Sequence, residues 1–322
     1  MTDSTDSTTD DGGWERRRQL SIEAHTRYLD ELLAIRPEYP GLTGYAASKR
    51  AGATKGTMPW VWGAEGELCE TINSMNAWGG ALHSWNASNR VVASYADLDD
   101  RWTILSDSIE PLAFFCMLQP SNLADRIAVV AEAQLHQPNI AVSLGYKDRL
   151  DQDKGGLFRR KDRRAQLKRL GQPWTAHPVF GAFLADMDGP TYRQLTRNFR
   201  DLSAHSFAPR LMIGEISRAI RNIVPWTDLV EQPDGTFVDV PHATRKMVQY
   251  DMGSMQPLPL EATHAANLAE YVKAQETMAA LAVLVDELCD RIDATPASAP
   301  PAPSPSRPGA GQVSADPITG PE

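Results

Sequence analysis

Near the middle of the chain, the string RNFRDLSAHSFAPRL begins at Arg197 and sets Arg200 five residues ahead of His205, with Asp201 directly after the arginine. A guanidinium is a planar fork that can grip two phosphate oxygens. An imidazole exchanges its proton near neutral pH. Arg197, Asn198 and Arg210 flank the pair as candidate phosphate-binding residues, and Ser203 lies between its members. Geometry sets a condition on joint action. Five residues on an ideal helix turn roughly 140° past a full circle, so Arg200 and His205 do not share a helix face. They converge only if the helix loosens before Pro209 or if a second copy supplies one of the two groups.

The string resembles the Arg–x4–His signature of the HEPN superfamily, whose members commonly carry Asn, Asp or His directly after the arginine. Arg200, Asp201 and His205 match it position by position, and the resemblance covers about residues 180–225. It implies a helical fold, a homodimer that brings two motifs together, and metal-independent cleavage of RNA in a toxin–antitoxin or abortive-infection setting, with a cognate antitoxin as partner. It implies no cofactor and no metal. Under it, His205 transfers the proton, Arg200 stabilises the phosphorane and Asp201 orients the pair. This chain is considerably longer than a minimal HEPN domain, so its N-terminal half has no role under the resemblance.

Other residues offer less. Lys147 to Arg169 is rich in Lys and Arg and could track an RNA backbone, with Phe158 or Trp174 as stacking faces. Interspersed aspartates favour a plain solvated linker. Trp78, His83 and Trp85 form an aromatic–His group that close helix packing at Gly79-Gly80 explains. His136 and His177 lie near prolines and read as turn residues, and Met58 to Trp62 reads as a hydrophobic plug in a loop. No GxGxxG, GxxxxGK[ST], GxSxG or HExxH string occurs, which leaves nucleotide-fuelled, serine-hydrolase and zinc-protease chemistry without support.

These residues must be positioned mostly by helices. Apolar residues recur at three- and four-residue intervals over Trp14–Ile35, Glu65–Asn86, Asp99–Leu118 (with a kink at Pro111), Leu123–Leu135 (ending near Pro138), Leu211–Val224 and Leu260–Asp293, and Gly189-Pro190 opens a helix over 190–204. Tyr39–Trp62 reads as a long connection, and the alternation over 226–240 around Pro233-Asp234-Gly235 predicts a β-hairpin. The fold class is therefore mainly α, a helical bundle with a small β-hairpin and disordered termini. The expected organisation is an acidic N-terminus (1–13), a helical region (14–146), a basic linker (147–178), a HEPN-like helical region with the hairpin (179–293) and a Pro/Ala/Ser-rich tail (294–322).

Bulk properties narrow the setting. The 322 residues carry a net charge of −9, which argues against nonspecific nucleic-acid binding by the whole surface. Three well-separated cysteines predict neither disulfides nor a zinc site and fit a cytoplasmic location. No apolar run is long enough to span a membrane, and Arg16-Arg17-Arg18 lacks the apolar stretch of an export signal. Two functions from different classes remain: an endoribonuclease acting through Arg200 and His205, or a non-catalytic helical binding or regulatory protein. A DNA-binding regulator ranks last, because Arg218 and Arg221 have no convincing partner helix.

Overall fold

A computed structural model describes residues 11–39, 41–55, 58–142 and 145–295. In chain order its helices are α1 (Asp11–Ala34), α2 (Ala46–Gly52), α3 (Met58–Ala93), α4 (Leu98–Ile104), α5 (Glu110–Val142), α6 (Arg160–Leu170), α7 (His177–Asp186), α8 (Pro190–Leu195) and α9 (Phe199–His205). Strands β1 (Ile216–Glu231) and β2 (Phe237–Met255) follow, and then α10 (Leu260–Ala294).

The core is where α3, α5 and α10 meet, each packing on the other two. At 1.5 Å per residue, helices of 36, 33 and 35 residues run about 50 Å. On α3 the buried stripe is Leu68, Ile72, Met75, Trp78, Leu82 and Trp85, the three- and four-residue spacing that keeps side chains on one face. On α10 it is Tyr271, Met278, Leu281, Val285 and Leu288, whereas Val272, expected in the stripe, is 44% exposed. Trp78 meets Tyr271 edge to face at 5.3 Å, and a Cβ at Gly79 would fall 2.6 Å from the Tyr271 hydroxyl. Glycine at 79 is what lets the two helices approach there.

The expected mainly helical fold with an antiparallel hairpin is what the chain adopts, and several boundaries differ for physical reasons. Asp11–Gly13 belong to α1 rather than to the N-terminal extension, and Ala294 closes α10 with Thr295 as its C-cap. The remainder of both expected disordered termini lies outside the described residues. The long connection over 39–62 is replaced by α2 and the start of α3, with Trp60 and Val61 buried in its first turn rather than plugging a loop. Pro120 and Pro138 do not end helices but lie inside α5. Proline removes the N–H that would bond the carbonyl four residues back, and for Pro138 that carbonyl, of Gln134, accepts from the buried Trp60 indole at 3.2 Å instead. The kink expected at Pro111 takes the form of a widened π-turn over Leu105–Ile109.

The expected basic linker is a correction too. Residues Arg160–Leu170 form α6, which packs on α5 with Gln166, Leu167 and Leu170 buried. Some of its cations are paired internally: Arg163 lies 3.2 Å from the buried Glu132 carboxylate, which also accepts from Gln166 at 2.7 Å. Trp174 is 2% exposed, its indole donating to Asn139 at 2.9 Å, and offers no stacking face. His136 is a buried residue inside α5, bonded to Tyr146 and Asp148 at 2.7 and 2.9 Å, and not a turn residue.

The largest departure is at the hairpin. Instead of a helix over 211–224 and a short hairpin at 226–240, β1 and β2 pair antiparallel from Ile216↔Met255 to Glu231↔Phe237. Ile216, Ile220 and Val224 recur every four residues, a spacing that marks one face of a helix and equally one face of a strand. The register slips between Pro225 and Thr227. There the His242 ring accepts from the Thr244 and Arg245 amides at 3.2 and 3.0 Å, and Arg245 stacks on Trp226 at 5.2 Å. Neither strand packs extensively on any helix, so the pair forms an arm.

Candidate functional site

The Arg–x4–His motif occupies α9, a seven-residue helix. Local chemistry explains its entry. The helix expected over 190–204 breaks because Arg197 and Asn198 both adopt left-handed backbone, at φ 52° and 55°, ending α8 and redirecting the chain. Asn tolerates that region better than most residues. The Arg197 guanidinium donates to the backbone carbonyl of Gln256, tying this turn to the segment between β2 and α10. Of the two residues expected as phosphate binders, Arg197 thus holds a backbone carbonyl, while the exposed Asn198 side chain makes no capping bond.

Phe199 alone among the α9 residues is buried, edge to face with Phe114 of α5 at 5.5 Å. The rest of the motif faces outward. Arg200 bonds Asp201 at 3.1 Å, with their side chains 45% and 53% exposed, while Asp186 pairs with Lys273 at 3.1 Å. Ser203 Oγ donates to the Arg200 carbonyl at 2.9 Å, an internal helix bond. His205 is the exposed last residue of the helix.

Two recesses border α9, and Phe199 lines both. Arg200 borders a crevice with Asp188, Tyr192 and Arg193 whose volume, about 10 Å³, takes no more than about one water. Ser203 borders a separate groove of about 300 Å³ with Glu110, Phe114, Phe207 and Arg210. Arg210 sits 4.0 Å from Glu110 and 6.0 Å from the Trp102 ring centre, away from Arg200. The α-helical form of 199–205 keeps Arg200 and His205 roughly 140° apart around the axis. One chain therefore joins Arg200 with Asp201 and does not gather Arg200, His205 and Arg210 around one phosphate.

Sequence reasoning missed the charged cluster beneath the motif. Asp188, with 5% of its side chain exposed and φ at 53°, holds Arg160 at 3.1 Å and Arg193 at 2.7 Å. Its own N–H donates to the buried Glu270 at 2.7 Å, and Glu270 in turn pairs with Lys273 at 3.0 Å. The Asp188-Gly189-Pro190 turn was the only local signal. Arg193 lies five residues on, but Arg160 and Glu270 lie 28 and 82 residues away, and nothing local names them. This cluster clamps α6, α8 and α10 together, and a buried charge stripped of its partner is strongly destabilising.

Among the described residues, no group of three or more His, Cys, Asp or Glu side chains could hold a metal ion. No helix among them is long and apolar enough to cross a membrane. Cys69, Cys116 and Cys289 are free thiols, and burial pushes those of Cys116 and Cys289 up. Comparison of the chain with protein-family models, with curated proteins and with solved structures finds no match.

Proposed function

We propose that this chain is a non-catalytic helical binding protein that assembles as a homodimer through its β1–β2 arm. One observation carries the reading. The arm spans 216–255 without substantial support from the helices, yet exposes Leu229 (69%), Tyr250 (69%), Met252 (81%), Ile223 and Phe237 to solvent. A lone two-stranded hairpin is marginal in water, and exposed apolar surface on this scale marks an interface. Charge favours a second copy as the partner. Arg218 and Arg221 lie toward the base of β1 and Asp228 and Glu231 toward its tip, whereas on β2 Asp239 lies toward the tip, Lys246 midway and Asp251 toward the base. Two copies of β1 laid antiparallel across a two-fold axis set the arginines of one against the carboxylates at the tip of the other.

The endoribonuclease is the second reading. It is favoured by the HEPN-like motif and by the exposure of both Arg200 and His205, which leaves them open to a second copy. A two-fold axis at α9 would supply the convergence that a single helix does not.

Two measurements decide. Sedimentation of the full chain gives a dimer, and replacing 217–254 by a short Gly/Ser link gives a monomer. Incubation with single-stranded RNA in EDTA leaves the RNA intact. A monomeric full chain overturns the proposal, and so does RNA cleavage to cyclic-phosphate ends that His205→Ala abolishes.

A further inference from the structure

Helices α6 and α7 diverge around a cavity of about 520 Å³, within the size range of sites that enclose small organic ligands. Its floor is apolar: Leu167, Trp174, Phe180 and Leu184 line it, all 5% exposed or less. Gly171 and Gly181 also line it. The His177 imidazole lies directly over Gly171, where a Cβ would fall 2.0 Å from the ring. Burial lowers the pKa of His177, so this wall is uncharged near neutral pH.

The rim carries the opposite character. Arg164 and Lys168, one turn apart on α6, both border the cavity. Every fourth position on this face is a cation: Arg160, Arg164, Lys168. Arg160 is neutralised by Asp125 at 2.7 Å and Asp188 at 3.1 Å. Arg164 and Lys168 have no ion-pair partner among the described residues. Like charges four apart on a helix repel, and partial burial together with Arg160 holds Arg164 below the ordinary guanidinium range. An anion bound at the rim would relieve both costs, while the floor suits a hydrocarbon chain.

From this juxtaposition we infer that the α6–α7 cavity binds an anionic amphiphile, an alkyl carboxylate whose chain fills the cavity and whose head group is held by Arg164 and Lys168. The site is independent of the arm and of the Arg–x4–His motif.

Calorimetric titration of the full chain with dodecanoate, below its micelle concentration, tests this. One molecule binds per chain. Affinity falls at least tenfold in the double variant Arg164→Gln, Lys168→Gln, and binding is lost in Gly181→Leu. A Cβ at Gly181 meets only His177, at 3.7 Å, so that side chain grows into the cavity without an initial clash. Unchanged unfolding midpoints show that the variants are folded. Three results overturn the inference: no binding by the wild-type chain, equal binding of dodecyltrimethylammonium, or undiminished binding by the double variant. A chain ending at Thr295 that binds dodecanoate while the full chain does not assigns the cavity to the C-terminal segment, and also overturns it.

Discussion

Gly79 and Gly80 are adjacent in sequence and opposite in consequence. At Gly79 an added methyl collides with the Tyr271 ring, whereas at Gly80 it meets nothing within 4 Å. Overpacking a helix crossing costs about 1–3 kcal/mol, and replacing glycine by alanine inside a helix returns up to about 1 kcal/mol. Gly79→Ala is expected to lower the unfolding midpoint in denaturant, and Gly80→Ala to raise it. Equal midpoints for the two variants would show that Tyr271 yields without cost. The same contrast explains the motif residues. Arg200 and His205 were selected by type and spacing, which a sequence displays. Whether they meet depends on how many degrees of helix separate them and on what each faces, which spacing only bounds.

Helix α7 shows how one element depends on another for its ends. Its N-cap, Ala176, has no side chain able to cap. Glu287 of α10 substitutes, accepting from the Thr175 and Ala176 amides and the Thr175 hydroxyl, each at 2.9 Å. Partial burial raises the pKa of Glu287, but these three bonds outweigh it and the net shift is downward. A carboxylate whose folded pKa is depressed stabilises the fold above its unfolded value of about 4.3, and that contribution disappears as pH falls through the folded pKa. Glu287→Gln should therefore cost about 1–2 kcal/mol at pH 7 and progressively less at acid pH. Denaturation at pH 7 and pH 3 measures this, and a pH-independent loss would refute the assignment. Elements of this kind were partly legible beforehand. The stripes on α1, α3 and, apart from Val272, α10 are legible because each helix exposes one face, and amphipathic periodicity records that. The prolines of α5 mislead because a tertiary partner, the Trp60 indole on the Gln134 carbonyl, satisfies what Pro138 frees. Strand β1 misled because apolar residues four apart satisfy both a helix and a strand. The basic stretch reads as solvated because Glu132 and Asp188, which pair with Arg163 and Arg160, come from other elements.

At the scale of the whole molecule, the arm is an excursion inserted between α9 and α10. Its base is closed by a bridge at Leu211 and Leu258, with the Met212 amide donating to the Leu258 carbonyl and the Leu258 amide to the Arg210 carbonyl, each at 2.8 Å. The chain thus leaves the helices and returns to nearly the same place before supplying α10, which packs on α2, α3, α5 and α7. Continuity of the polypeptide through the turn at Asp234-Gly235 contributes nothing to that packing. The protein accordingly contains a natural seam. Segments 1–234 and 235–322, produced as separate polypeptides in one cell, should reconstitute the bundle, copurify and unfold in a single transition. Were the halves to separate on native gel filtration, the covalent link, rather than the fit of α10 into its groove, would be what keeps the last helix in place.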